Sequence, residues 1–275
     1  MPTPFYHLAL AEGTLRDPRL PEAARQLLAS EYPAFILGNT APDVQTLTGQ
    51  TREATHFFEV PLRNTNPPHE AMFAAWPELA HRSGQSPDRL AFLAGYVCHL
   101  LLDQLWIRRL FQPTFGPDAA WGNFPERLYL HNVLRVHLDR QLLPKLSGGI
   151  AGKLRAAEPH GWLPFVADEH LRAWRDFLAD QLEPGAESLT VSVFAARMGR
   201  EPAEFDNLLA SPVEMDRRVF SRLSREQLAQ FGAEGLAGGL RLLTDYLLEP
   251  VAIQGNFNRT ERSRQSDRAT LPAAG

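Results

Sequence analysis

The chain has nine histidines and one cysteine in 275 residues, so any metal chemistry in it rests on imidazole and carboxylate rather than thiolate. The pair that stands out is His99 and Asp103. It lies in LAFLAGYVCHLLLDQLWIRRLF (90–111), a helical pattern of Leu, Ala, Phe and Val. Four residues turn an α-helix by about 400°, so positions i and i+4 project from one face roughly 40° apart. An imidazole and a carboxylate therefore stand side by side on an otherwise apolar rod. A buried carboxylate needs a compensating charge, and no Lys or Arg lies three or four residues before Asp103. Gly95, one turn ahead of His99, leaves room on that face for another segment to approach.

Three further residues fall in contexts that suit the same point. His7 follows Pro4 on a short helical pattern at the start of the chain. Asp43 ends the Gly-Asn-Thr-Ala-Pro-Asp stretch at 38–43, a loop of special backbone geometry. His56 is turned inward by Phe57 and Phe58. Three imidazoles with two carboxylates suit a borderline divalent ion such as Zn²⁺. Each residue also has a plainer reading. His7 alone fits a core or surface histidine, Asp43 a turn residue or helix N-cap, and His99–Asp103 a local hydrogen bond.

The elements that must position these side chains are helical throughout. The central helix is expected at about 88–111, capped by Ser86-Pro87. Helices are also expected at 21–32 and 69–81, the latter kinked at Pro77, and at 125–146. Six more are expected between 153 and 248, and 33–37 reads as an apolar turn. No strand alternation, βαβ rhythm or fixed-period repeat is visible. The expected architecture is all-α: one domain over 1–254, with a site-bearing half at 1–147 and additional helices at 151–254. A polar, disordered tail is expected at 255–275. His137 and Asp139 are expected at the surface, Cys98 as a small buried hydrophobe, and Trp106 in the core or along the cleft.

Hydrophobic residues make up 44% and charged residues 22%, ample for a real core. A net charge of −4 gives no footprint for nucleic-acid backbones. The apolar run at 90–102 is shorter than the ~20 residues of a spanning helix, so no transmembrane segment is expected. The lone cysteine and an N-terminus without a signal-peptide pattern set the expectation of a cytoplasmic protein.

The order His7, then 38–43, then Thr55-His56-Phe57, then GYVCHLLLD at 95–103 resembles the zinc-dependent phospholipase C family, related to the zinc-dependent single-strand nucleases. The resemblance covers roughly 1–140. It implies an all-α fold that hydrolyses phosphate esters with clustered zinc ions. Carried over by position, it implies that Asp43, His56, His99 and Asp103 bind one zinc, that Asp103 bridges to a second held by His7, and that Asp43 orients or deprotonates the attacking water. Secreted members use the amino group of an N-terminal Trp as a ligand, where this chain starts Met1-Pro2. Their third zinc takes a His beyond the bridging Asp, where this chain has Arg108 and Arg109. It also takes a His followed four residues later by an acid, where His131 is followed by Arg135. The resemblance thus implies one or two zinc ions, with Arg109, His131 and Arg135 left as candidates for substrate binding.

The function expected is a metal-dependent phosphoric ester hydrolase in which a metal-activated water attacks phosphorus. Phospholipid headgroups and nucleotides are both open as substrates. The alternative is a non-catalytic helical protein that keeps the scaffold as a structural or vestigial metal site. An HD-type phosphohydrolase is excluded because no His-Asp dipeptide occurs.

Overall fold

A computed structural model describes residues 1–248; the expected tail at 255–275 lies outside them. Fourteen α-helices occur among the described residues, and no strand. In chain order they are α1 (Pro4–Arg16), α2 (Glu22–Ser30), α3 (Tyr32–Gly38), α4 (Gln45–Thr48), α5 (Arg52–His56), α6 (Pro68–Ala75) and α7 (Pro87–Trp106). There follow α8 (Phe124–Leu142), α9 (Ile150–Arg155), α10 (Asp168–Gln181), α11 (Thr190–Met198), α12 (Pro202–Leu209), α13 (Pro212–Met215) and α14 (Arg225–Leu248). The fold is all-α.

α7 begins as its sequence dictates. Ser86 is extended, Pro87 takes the first turn where its missing N–H is harmless, and Asp88 faces the helix's positive end. The helix does not stop cleanly. From Ile107 to Phe115 it continues as a π-helical stretch containing Pro113, which lacks the N–H of a regular turn. The 87–115 segment is long and apolar enough to cross a membrane, yet 89% of its most apolar window is buried inside the protein. It is enclosed by other helices.

One of those helices is α3, where an apolar turn was expected. Pro33 starts it rather than breaking it, and all of Ala34 to Gly38 is buried. α3 crosses α7 at backbone contact. A Cβ on Gly38 would lie 2.0 Å from the Phe92 carbonyl oxygen, and one on Gly95 would lie 2.3 Å from the Phe35 carbonyl oxygen. Only hydrogen fits there, so the space foreseen beside Gly95 is filled by the backbone of α3.

Two apolar cores share α7. The first gathers Ala91 to Leu100 with α1, α2, α3, α9, α10 and the end of α14. The second gathers Leu102 to Trp106 with α8, α11, α12 and Phe231. His99 and Asp103 stand at this junction. α10, far along the chain, buttresses the site: Trp174 donates its indole N–H to the Thr40 carbonyl at 2.9 Å.

Candidate metal centre

Four separate elements converge on the His99–Asp103 face. α1 supplies His7. A 3₁₀ turn at Ala41–Val44, begun by Pro42, supplies Asp43. α5, capped by the Thr51 hydroxyl on the Ala54 N–H, ends at His56. Phe57 then takes a left-handed φ of 60°, uncommon for a bulky residue, and turns the chain away just after His56. The Tyr96 hydroxyl donates to the Thr55 carbonyl at 2.6 Å and ties α5 to α7.

The five residues foreseen as ligands are brought together. His56 Nε2 lies 3.3 Å from His99 Nε2, 3.3 Å from Asp103 Oδ2 and 3.6 Å from Asp43 Oδ1. His99 Nε2 lies 3.5 Å from Asp103 Oδ2. On a four-coordinate ion with bonds of about 2.0–2.1 Å, ligand atoms stand about 3.3–3.4 Å apart, close to these four separations. His7 Nε2 approaches Asp103 Oδ1 at 3.2 Å, and its ring stacks on that of His99 at 3.8 Å. The groups His7, His99, Asp103 and Asp43, His56, His99 could each hold a metal ion.

The hydrogen bonds around the rings favour the same reading. His99 Nδ1 donates to the Asn39 carbonyl at 2.8 Å. The Thr55 hydroxyl donates to the Arg52 carbonyl, so its oxygen is left to accept the His56 Nδ1 proton at 3.0 Å. Both Nε2 atoms then carry lone pairs directed inward. An outer hydrogen bond that fixes the tautomer in this way is the usual support of a metal-binding imidazole. Both His7 nitrogens and Asp103 Oδ1 are buried without a hydrogen-bond partner, a costly arrangement that a bound cation relieves.

The electrostatics agree. Burial, followed by the neighbouring His99, lowers His7 to about 4, which leaves it neutral at pH 7. Burial pushes the Asp103 carboxyl upward, but the neighbouring His99 and Arg52, with His56 and His7 close beside it, outweigh it and hold it well below the ordinary value. Asp43 is likewise held ionised against burial, by His56 and His99. His99 is raised: burial opposes its charge, and Asp103 and Asp43 overcome that. The centre attracts positive charge.

Arg52 was not legible as part of the site. Its Nη2 donates to Asp103 Oδ2 at 2.6 Å, so the counter-charge missing from α7 comes from α5. Its only sequence signal is its position four residues before His56, on the same helical face.

The three candidate substrate-binding residues part company. Arg135 lies within the field of Asp43, Asp139 and Asp103, which raise its pKa, though burial lowers it overall to about 10. Arg109 does not reach the site; its side chain is half exposed and paired with Glu234 at 2.9 Å, because the π-helical stretch rotates it outward. His131 is buried against Phe111 and Phe115, and its Nε2 accepts the Trp106 indole N–H at 2.9 Å. That lone pair is spent inside the second core. Trp106 is fully buried rather than along a cleft. Asp139, expected at the surface, is buried and accepts from the Thr3 and Thr190 hydroxyls.

No curated protein and no solved structure matches the chain. Residues 6–106 match the family model described as zinc dependent phospholipase C, so the segment that carries His7, Asp43, His56, His99 and Asp103 resembles that family.

Proposed function

We propose that the chain is a zinc-dependent phosphoric ester hydrolase of phospholipase C type. The observation that carries this reading is the 3.3–3.6 Å spacing that His56 Nε2 keeps to the Asp43, His99 and Asp103 ligand atoms, with both imidazole lone pairs turned inward. His7 and the second oxygen of Asp103 would hold a further ion. Bound there, zinc would supply Lewis-acid charge and ease deprotonation of water near neutral pH.

The chain's own residues divide the remaining work. Asp43 is the most accessible of the carboxylates, with 15% of its side chain exposed against 1% for Asp103. Being ionised at neutral pH, it can orient the attacking water and take its proton. Arg135 binds the phosphoryl oxygens with a planar, permanently charged donor group. Arg52 holds Asp103 in place.

A second reading has one observation behind it. The Arg52–Asp103 bond balances charge without a metal, as a vestigial or purely structural site would. Zinc analysis of the purified chain, followed by turnover of bis-p-nitrophenyl phosphate, separates the two. Stoichiometric zinc with turnover that Asp43→Asn abolishes supports the hydrolase. Stoichiometric zinc without turnover supports the structural site, and no zinc uptake removes the hydrolase and leaves the vestigial site.

A further inference from the structure

Arg52 and Arg135 each keep one donor in reserve. Arg52 uses Nη2 on Asp103, while its Nε is buried without a partner. Arg135 donates from Nη1 to Asn132 Oδ1 at 3.1 Å and lies 4.3 Å over the Phe194 ring, and its Nε is also buried and unpartnered. A buried N–H without an acceptor is unfavourable, and two on guanidinium groups beside one metal centre point to an anionic ligand that both can reach.

The adjoining pocket shows what the rest of that ligand looks like. A cavity of ≈ 280 Å³ is lined by Phe57, Phe58, Glu59, Arg63, Asn64 and Asn66, among others. Phe58, which lines it, stands edge-on to the His56 ring at 6.0 Å, so one wall of the cavity packs against the centre. Gln104, next to Asp103, donates to the Asn66 carbonyl at 2.7 Å and anchors the far end of the loop. A cationic headgroup would seek an aromatic face or a free carboxylate. The Phe58 face already carries the Arg52 guanidinium at 5.3 Å, Phe57 packs edge-to-face with Phe165 at 5.2 Å, and Glu59 is paired with Arg63 at 2.9 Å. The side-chain amides of Asn64 and Asn66 remain, and they suit hydroxyl groups.

The charge balance points the same way. Asp43 and Asp103 are offset by Arg52 and Arg135, and an imidazole that holds a metal ion is neutral. Any divalent ion then leaves the centre with a net positive charge, which favours an anion and repels an ammonium.

We infer that Arg52 and Arg135 form a cradle that selects anionic phosphoesters with an uncharged, hydroxylated headgroup over those with a cationic one. The inference rests on the hydrolase reading for its metal but not for its test. Calorimetric titration of the zinc-loaded full chain with glycerol 3-phosphate and with phosphocholine measures the preference. Wild type is expected to bind glycerol 3-phosphate roughly tenfold tighter or more. Arg135→Gln, which touches no metal ligand, is expected to shrink that ratio several-fold with zinc content unchanged, while Arg52→Gln, which also frees Asp103, is expected to shrink the ratio and lower zinc affinity together. Equal or tighter binding of phosphocholine, binding of neither compound, or an unchanged ratio in Arg135→Gln overturns the inference. A preserved ratio in a protein that hydrolyses no ester defeats the hydrolase reading alone.

Discussion

The Nε2 atoms of His56 and His99 face each other at 3.3 Å, and each ring has already committed its Nδ1 proton, to Thr55 and to the Asn39 carbonyl. Two inward lone pairs flanked by the Asp43 and Asp103 carboxylates repel unless a positive charge lies among them. In the metal-free chain that charge comes from Arg52 and from the raised proton affinity of His99. A divalent ion meets the same demand with four bonds instead of one.

Zinc is therefore expected to raise the melting temperature in a concentration-dependent way. At one hundred times Kd the gain is about 2.7 kcal/mol, or roughly 5–10 °C for a chain of this size. His56→Gln and His99→Gln should each abolish the dependence on zinc concentration. Differential scanning fluorimetry against a zinc series decides it, and a flat series for wild type would mean that the cluster holds no ion.

The two arginines carried into the structure as substrate ligands should behave differently. Losing a hydrogen bond to a charged phosphoryl group costs about 1.5–3 kcal/mol, so Arg135→Gln is expected to raise KM roughly 10–100-fold with zinc content intact. Arg109→Gln breaks only a surface pair with Glu234 and should leave KM and kcat unchanged. Steady-state kinetics on a chromogenic phosphodiester checks both, and equal effects would contradict the placement of the two side chains.

The helical fold and the five converging side chains were legible because periodicity and residue chemistry are local. The i,i+4 geometry of His99 and Asp103 follows from helix pitch alone. What stayed hidden depends on partners distant in sequence. Arg52 sits in a polar stretch that gives no sign of pointing inward, and only the packing of α5 on α7 through Tyr96 aims it at Asp103. His131 looked like a spare ligand because its pairing with Trp106 joins two helices. Asp139 looked like a surface acid because its partners, Thr3 and Thr190, lie 136 and 51 residues away in the chain. Arg109 was misplaced for a local reason that periodicity cannot show, the π-helical widening before Pro113.

The crossing of α3 and α7 makes a sharper demand than any single ligand. A methyl group on Gly38 would overlap the Phe92 carbonyl oxygen, 2.0 Å away and part of a helix backbone that cannot swing aside. Gly38→Ala should destabilise by about 1–3 kcal/mol or more, against a gain in helix propensity below about 1 kcal/mol. The shift would also pull Asn39 off His99 Nδ1, so zinc affinity is expected to fall with stability. Denaturant unfolding and zinc titration of the same variant test the two together. Lost stability with unchanged zinc affinity would show that the Asn39 bond does not position His99.

Asp139 sets a pH dependence that is independent of the metal. Burial pushes its carboxyl from 3.8 up to about 6, with Thr3, Thr190 and Arg135 pulling it partly back. The folded chain therefore keeps a proton over a pH range in which the unfolded chain has released it. A group whose folded pKa is raised contributes stability in full below its unfolded value. That contribution is lost as pH climbs from about 4 to about 6, and it amounts to about 3 kcal/mol. Asp139→Asn removes the titration while keeping an oxygen to accept from a threonine. Subtracting the urea-unfolding free energy of the variant from that of wild type, at pH 4, 5, 6 and 7 in the presence of a chelator, isolates the group. The difference should fall by about 3 kcal/mol across the range. Because Asp139 fastens Thr3, four residues before His7, the same rise in pH should loosen the start of α1, read as faster amide exchange there. A difference that stays flat or grows with pH would show that Asp139 titrates alike in the folded and unfolded chains.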